Sequence, residues 1–539
     1  MTPGSVLVAT GIFLSRIAGL VRERAIAAYF GTGLHADVLG AGLRLPNVIQ
    51  NLLGEGTLSA SFIPVYSELL GQGRTKDAGR VAGAMFGLLL GVAGVIALLG
   101  VLLAPLFVTV FLPGFVGQRR ELMVAVVRIM FPMTAVLVLS AWALGILNSH
   151  RRFFLPYFAP VLWNAAIIGA LVAYGGRLEL DALLMAAAWG ALAGGLLQFG
   201  VQVPAVLRLD REIRLNRGRN LPAFREAVRN AGPAILGRGV VQVSSYVDLV
   251  LASLLAIGAV ARLRYAQTLY VLPVSLFGAS VAAAELPELA RERGGSHDAL
   301  RERVVGAVRR VSFLVVPSLV AFILLGDVLV AGIYRAGVFG GADVTVVSLT
   351  LAAYSLGLLA STTTRVYQSA FFALRDTKTP ARVAGARVLV SAATGAALML
   401  QFEPISFGSW SIPAGVLRDW RVSGVPLGPV GLALGAAIGS WLEWTLLHAS
   451  LAKRIGPCGT GAARLVRMFG AALGAAAAGY GTHVASARLH PLVVALLVTA
   501  VFALVYFAAA RALGLSEARA FVAALARRFP ARNDGSTPR

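Results

Sequence analysis

A single cysteine, Cys458, among 539 residues leaves no room for a disulfide framework or a cysteine-based metal site. His35, His150, His297, His448, His483 and His490 show no HxxH or HExxH spacing, so no metal centre is expected from them either. Charge is scarce: 14% of residues carry it, where a soluble domain has about 25%. Acid is scarcer than base, with 25 Asp and Glu against 48 Lys and Arg, a net charge of +23. There is no P-loop, no GxSxG and no soluble stretch large enough for a nucleotide domain. Neither an enzyme nor a resident cofactor is expected. No Lys or Arg precedes Arg16, and no small-residue cleavage site ends the first apolar run, which reads as retained rather than as a signal peptide.

What the chain has instead is apolar length. It is 58% hydrophobic with a mean hydropathy of +0.78, and runs of about 20 apolar residues recur from end to end. The expectation is an all-α polytopic membrane protein, since open sheet edges have no partners in hydrocarbon. Fourteen spans are expected near 5–27, 37–61, 82–110, 122–148, 155–174, 183–206, 226–256, 265–287, 304–326, 344–372, 381–400, 428–452, 465–486 and 491–512. Alternate loops differ in basic content: 28 Lys and Arg lie on the side that holds both termini, against 9 on the other. By the positive-inside rule both ends are cytoplasmic. Topology thus accounts for most of the net charge, and no nucleic-acid partner is needed.

The basic connector 207–225 separates six spans from eight. An N-lobe over 1–215, a C-lobe over 216–455, two further helices over 456–512 and a basic cytoplasmic tail over 513–539 are expected. Two six-helix halves are a common way to place a transport site at a pseudo-symmetric interface. The loop 401–427, rich in Trp, Pro and Gly, belongs on the outer surface. The tail reads as a short basic amphipathic helix, followed by disorder, resting on anionic lipid.

The informative residues are charges inside apolar segments. A lone charge at the bilayer centre costs roughly 2.5–3.5 kcal/mol on insertion scales, so such residues face a bundle interior or a watery cavity. Arg16 and Glu23 lie seven residues, about 20°, apart on one helical face, flanked by Arg22 and Arg24. In the next segment Asn47, Asn51, Glu55 and Ser59 stack at spacings of four, with Arg44 one turn above. Pro46 and Gly54-Glu55-Gly56 make that helix easy to kink. Converging arginines in a low-dielectric cleft suit phosphate, which a guanidinium grips bidentately without losing its charge. The competing reading is that these charges snorkel at helix ends or pair internally.

The segments SRIAGLVRE at 15–23, ADVLGAGLRLPNVIQNLLGEGTLSASFIPVYSE at 36–68, GPAILG at 232–237 and RDTKTP at 375–380 resemble the MurJ/MviN family of lipid II flippases, in the multidrug/oligosaccharidyl-lipid/polysaccharide exporter superfamily. The resemblance covers essentially all fourteen spans. It implies two six-helix lobes around a cationic cavity, with the last two helices forming a groove for the lipid tail. Arg16 and Arg22 match the family's first-helix arginines, Glu23 stands where an Asp is common, and Asp37, Asn47 and Glu55 fall on its motif positions. Arg44 matches a basic position. Two cavity arginines are missing: Gln50 replaces one in PNVIQN, and Thr268 replaces the other in YAQTL. Arg238, Arg262 and Arg264 are the candidates to restore that charge, with interfacial snorkelling the alternative for the last two. Some members bind sodium between the seventh and eleventh helices, and Asp248 is well placed to be such a ligand, but Ser391 and Gly395 stand at the eleventh-span positions that often carry Asn or Asp. An Asp248–Arg387 ion pair in place of the cation is therefore preferred here, and membrane potential is the other source of coupling.

The function implied is transfer of undecaprenyl-diphosphate-linked peptidoglycan precursor across the bacterial cytoplasmic membrane, with lipids and peptidoglycan-synthesis proteins as partners. The substitutions Gln50 and Thr268 keep open another polyprenyl-diphosphate glycan, such as an O-antigen or exopolysaccharide unit. A non-transporting scaffold of the cell-wall machinery is disfavoured by Arg16, Arg22 and Glu55. A drug antiporter, which would want an acidic cavity, is disfavoured by the arginine-rich first helix.

Overall fold

The computed structural model describes residues 3–210, 212–213, 218–291, 297–407 and 410–519. Within these, the side chains of Asn47, Glu55 and Arg238 lie outside what is described, as does the tail from residue 520. The chain is helical throughout its apolar segments, and every one of the fourteen expected spans falls on a helix or on a pair of helices in series. Among the described residues, nine helices are long and apolar enough to cross a membrane, or ten if one pair bent by 40° is counted as a single span. The expected fourteen is therefore not reached by length and composition. One reason is that apolar runs are broken into pieces, the second at Gly54 and the tenth near Gly357; the third, broken at Leu103, still counts through Thr75–Leu102.

The helices group into two compact units, and neither is a continuous half of the chain. The first holds residues 1–265, 334–343 and 399–429. Its helices are α1 (Pro3–Phe30), α2 (Leu34–Leu53), α3 (Glu55–Gly71), α4 (Thr75–Leu102), α5 (Ala104–Phe111), α6 (Gly117–Ser149), α7 (Phe154–Tyr174), α8 (Leu180–Leu209), α9 (Pro222–Ser253) and the start of α10 (Ala259–Pro273). At 33 residues α6 is the longest, and it packs on α2, α3, α4 and α8. Trp142 and Ser140 of α6 find partners within the bundle, as most buried polar groups do. Trp142 donates its Nε1–H to the Ala82 carbonyl at 3.1 Å, and Gln198 and Gln202 of α8 donate to Ser140 Oγ. The loop after α16 contributes two small antiparallel hairpins, Ile405–Phe407 with Trp410–Ile412 and Arg421–Val422 with Val425–Pro426. Ser423 and Gly424 turn the second with positive φ at both positions, as a two-residue hairpin loop requires.

The second unit holds 266–333, 344–398 and 430–539. After α10 a π-helical stretch, Val274–Ala279, leads into α11 (Ser280–Arg291). Then come α12 (His297–Leu324), α13 (Gly326–Tyr334), α14 (Gly341–Ser355), α15 (Leu358–Ala373), α16 (Lys378–Phe402), α17 (Gly428–Ile455), α18 (Ala462–Ala485) and α19 (Pro491–Ala512). Small residues let these helices approach closely, the usual device where lipid removes any hydrophobic drive for association. A Cβ on Gly435 would stand 2.4 Å from the Gly395 backbone, and one on Gly439 would overlap Ser391 Oγ. Cys458, after α17, is buried, and burial pushes its thiol up to about 11.

Candidate cationic site

The charges of α1 meet a second arginine in space. Glu23 is 3% exposed. One of its carboxylate oxygens accepts from Arg22 Nη2 at 2.7 Å, and the other lies 3.0 Å from Arg264 Nη2 of α10. Arg22 also stacks over the Trp163 ring at 4.9 Å and Arg264 over Tyr265 at 5.4 Å. Two guanidinium groups against one carboxylate leave the trio with a net charge of +1. Arg16, expected on the same stripe as Glu23, is exposed on α1 and enters no ion pair among the described residues. Arg262 and Arg264 both lie within the first unit with their side chains largely covered by protein, Arg262 at 7% exposure.

A little over two turns beyond Glu23, the α1–α2 corner gathers returning chain. Asp37 is fully buried and saturated: Arg119 Nη2 donates at 2.6 Å and the Gly258 amide at 2.7 Å to Oδ2, and the Ala261 amide donates at 2.8 Å to Oδ1. The two amides belong to the first turn of α10, so Asp37 caps that helix from a distant element. Arg262 donates to Thr32 Oγ1 at 3.1 Å, and Thr32 in turn donates to Asp343. Tyr265 donates to the Gly31 carbonyl at 2.9 Å, and the Val338 amide to the Ala28 carbonyl at 3.0 Å. Gly31 holds a positive φ of 56° there, which suits a glycine. Glu403 accepts from the Ala256 and Gly428 amides at 2.9 and 3.1 Å; burial nevertheless holds its carboxyl above the usual range.

The remaining sequence candidates are more dispersed. Arg44 and Gln50 are half-buried on α2 and Asn51 is exposed. Asp248 is half-buried on α9 of the first unit, and Thr268 is half-buried on α10 in the second. Arg387 of α16, expected to pair with Asp248, is paired instead with Glu443 of α17 at 2.8 Å, and Gln368 of α15 donates to the other Glu443 oxygen at 2.9 Å. Ser391 packs against Gly439 one turn along α16. The sequence reading passed over Glu443, although a lone carboxylate in the run SWLEWTLL was signal enough. Arg119, which in sequence sits between two apolar runs, and Arg365, exposed on α15, carry no such local signal. No group of three metal-ligating residues occurs among the described residues.

A sequence model described as lipid II flippase MurJ matches residues 26–506. The chain belongs to the lipid II flippase MurJ family. A probable lipid II flippase MurJ of Rhizobium tropici is 32% identical over 446 residues, covering 82% of this chain and 79% of that protein. The lipid II flippase MurJ of Burkholderia cenocepacia is 31% identical over 449 residues, covering 82% of each. Among solved structures, a lipid II flippase MurJ in an inward closed conformation matches with a TM-score of 0.73 at 23% identity, covering 94% of this chain and 99% of that one. A multidrug-resistance MATE transporter of the MOP superfamily matches at 0.59 and 16% identity, covering 84% and 95%. The MurJ fold is thus a polytopic helical one, and membership places the chain among multi-pass proteins of the bacterial inner membrane. Against the MurJ pattern expected from the sequence, Arg264 lies four residues before Thr268 and makes its ion pair with the first helix.

Proposed function

We propose that this protein moves undecaprenyl-diphosphate-linked peptidoglycan precursor, lipid II, from the inner to the outer leaflet by alternating access through a cationic cavity. The observation that carries the reading is the buried Arg22–Glu23–Arg264 trio in a chain of the MurJ family. An incoming diphosphate offers more negative charge than Glu23 and competes with it for both guanidinium groups, with Arg16 the accessible first contact. Displacing Glu23 breaks its ion pair with Arg264, which sits three residues beyond the α10 turn capped by Asp37, so loading is felt at the α1–α2 corner. With both termini cytoplasmic, that corner is at the outer face, where it must open for release. The tail stays apolar throughout. A cavity of about 420 Å³ between α12 and α19, lined by Leu314, Phe322, Val498 and Phe502, suits an isoprenoid chain.

Coupling to sodium is not needed in this scheme. Arg387 supplies a resident cation to Glu443, and the membrane potential acts on the net cavity charge at about 2.3 kcal/mol per charge per 100 mV. Gln50 and Thr268 favour a second reading, in which the cargo is another polyprenyl-diphosphate-linked glycan. Complementation of a bacterium depleted of its lipid II flippase separates the two. Rescue by wild type, lost in Arg16→Ala and Arg22→Ala at equal membrane levels, is the result expected. Failure of a well-inserted wild type would refute the lipid II assignment in favour of the other glycan.

A further inference from the structure

The corner after α6 and the corner after α15 are the same structure built twice. At the first, the Arg151 amide donates to the Asn148 carbonyl and the Arg152 amide to that of Leu147. At the second, the Arg375 amide donates to Phe372 and the Asp376 amide to Phe371, with identical spacings. Arg151 and Arg375 hold the same left-handed conformation, φ 58° and 59°, at the helix C-terminus, where glycine is usual. In each case a new helix starts three residues later, at Phe154 or Lys378, with a proline two residues in. The helix that closes each set ends in a penultimate arginine, Arg208 in α8 and Arg454 in α17.

The two corners differ in charge. At the second, Arg454 Nη2 reaches Asp376 Oδ2 at 2.6 Å and the corner is neutralised from within. At the first, the position of Asp376 is occupied by Arg152. Arg151, Arg152 and Arg208 line one crevice of about 480 Å³, and no ion pair among the described residues involves any of the three. The rest of its wall is apolar, including Leu7, Leu147 and Phe154. Arg151, Arg152 and Arg208 sit at or next to the ends of three helices long and apolar enough to cross a membrane, Gly117–Ser149, Phe154–Tyr174 and Leu180–Leu209, and the ends of spanning helices meet the headgroup region.

We propose that this crevice binds the phosphate of an anionic phospholipid, which supplies from the membrane the negative charge that Asp376 supplies in the second copy. Three guanidinium donors match phosphate oxygens, and the apolar wall matches the glycerol and proximal acyl chain, so the occupant is a lipid and not a free anion. In the orientation proposed above, the lipid belongs to the cytoplasmic leaflet. The site is separate from the Arg22–Glu23–Arg264 trio and does not depend on the flippase reading.

The test is thermal unfolding of the delipidated full chain in dodecyl maltoside, titrated with phosphatidylglycerol, phosphatidylcholine or inorganic phosphate. Wild type is expected to gain stability with phosphatidylglycerol and with neither of the others. Arg152→Asp places a carboxylate beside Arg208, as in the second corner. It should melt no lower than wild type without lipid and need at least tenfold more phosphatidylglycerol for half-saturation. Should that variant fail to fold, Arg208→Gln carries the same criterion. An unchanged phosphatidylglycerol response in the folded variant, an equal response to phosphatidylcholine or to inorganic phosphate, or no response in wild type would each overturn the proposal.

Discussion

Glu23→Gln tests the idea that a resident carboxylate holds the cavity arginines until cargo arrives. The side chain keeps its shape and can still accept one hydrogen bond from Arg22, but the trio goes from +1 to +2. At charge separations of about 4 Å and an effective dielectric near 20, each arginine–carboxylate attraction is worth roughly 4 kcal/mol before desolvation. Removing one member of a buried ionic group typically costs about 3–5 kcal/mol, because the remaining charge is left uncompensated. The retained hydrogen bond puts this substitution near the lower end, about 3 kcal/mol, or roughly a hundredfold in the folded-to-unfolded ratio. A diphosphate repairs the defect. Short-chain polyprenyl diphosphate should therefore raise the unfolding temperature of Glu23→Gln by more than it raises that of wild type, with tighter half-saturation. Transport should fall, because release now leaves two arginines facing each other. Thermal unfolding of purified protein with and without the diphosphate reads the first effect, and complementation reads the second. If the variant is as stable as wild type and responds equally to the ligand, Glu23 is not a competitor for the arginines and the proposed capture step is wrong.

Two further outcomes concern stability alone. Asp376 accepts from the Thr379 hydroxyl at 2.6 Å and the Thr379 amide at 2.9 Å, and these bonds, with Arg454, hold its carboxyl well below the usual carboxylate range. A depressed folded-state pKa contributes stability above the unfolded value of about 3.9 and loses it as pH falls towards the folded one. Wild type should thus exceed Asp376→Asn by a constant margin from pH 7 to 5, narrowing below about pH 4; a margin unchanged at low pH would disprove the linkage. Gly435→Ala drives a methyl into the Gly395 backbone, where no side chain can yield, and overpacking of this kind costs about 1–3 kcal/mol. Gly385→Ala on α16 meets nothing within 4 Å and should be neutral or stabilising through helix propensity. Equal melting of the two variants would rule out the close α16–α17 approach.

The apolar runs made the helices legible, and the Gly54 kink was readable from Gly54-Glu55-Gly56 because glycine weakens a helix wherever it stands. What a run cannot report is whether its helix stays whole, as the breaks at Leu103 and Gly357 show. The charges inside apolar segments were also legible as exceptions needing a reason. Their partners were not, because pairing is settled by chain return over long separations. Arg264 was considered as a replacement cavity cation, and nothing local to it pointed to Glu23. Asp37 fell on a motif position, but its donors are two backbone amides and an arginine from what reads as a loop. The match between the corners after α6 and α15 was hidden for a different reason. HRRFFLP and LRDTKTP share few residues, and only their backbone bonding shows that they occupy equivalent places.

The saturation of Asp37 has a consequence for how the protein is made. Its arginine partner is synthesised 82 residues later and its first amide donor 221 residues later, an interval of roughly 10 to 45 s at 5–20 residues per second. For that time the second helix sits at the membrane with an acid whose final partners do not yet exist. Arg119 is the earliest relief, and completion waits for α10. Early helices of this chain are accordingly provisional residents of the bilayer, secured only when later ones arrive.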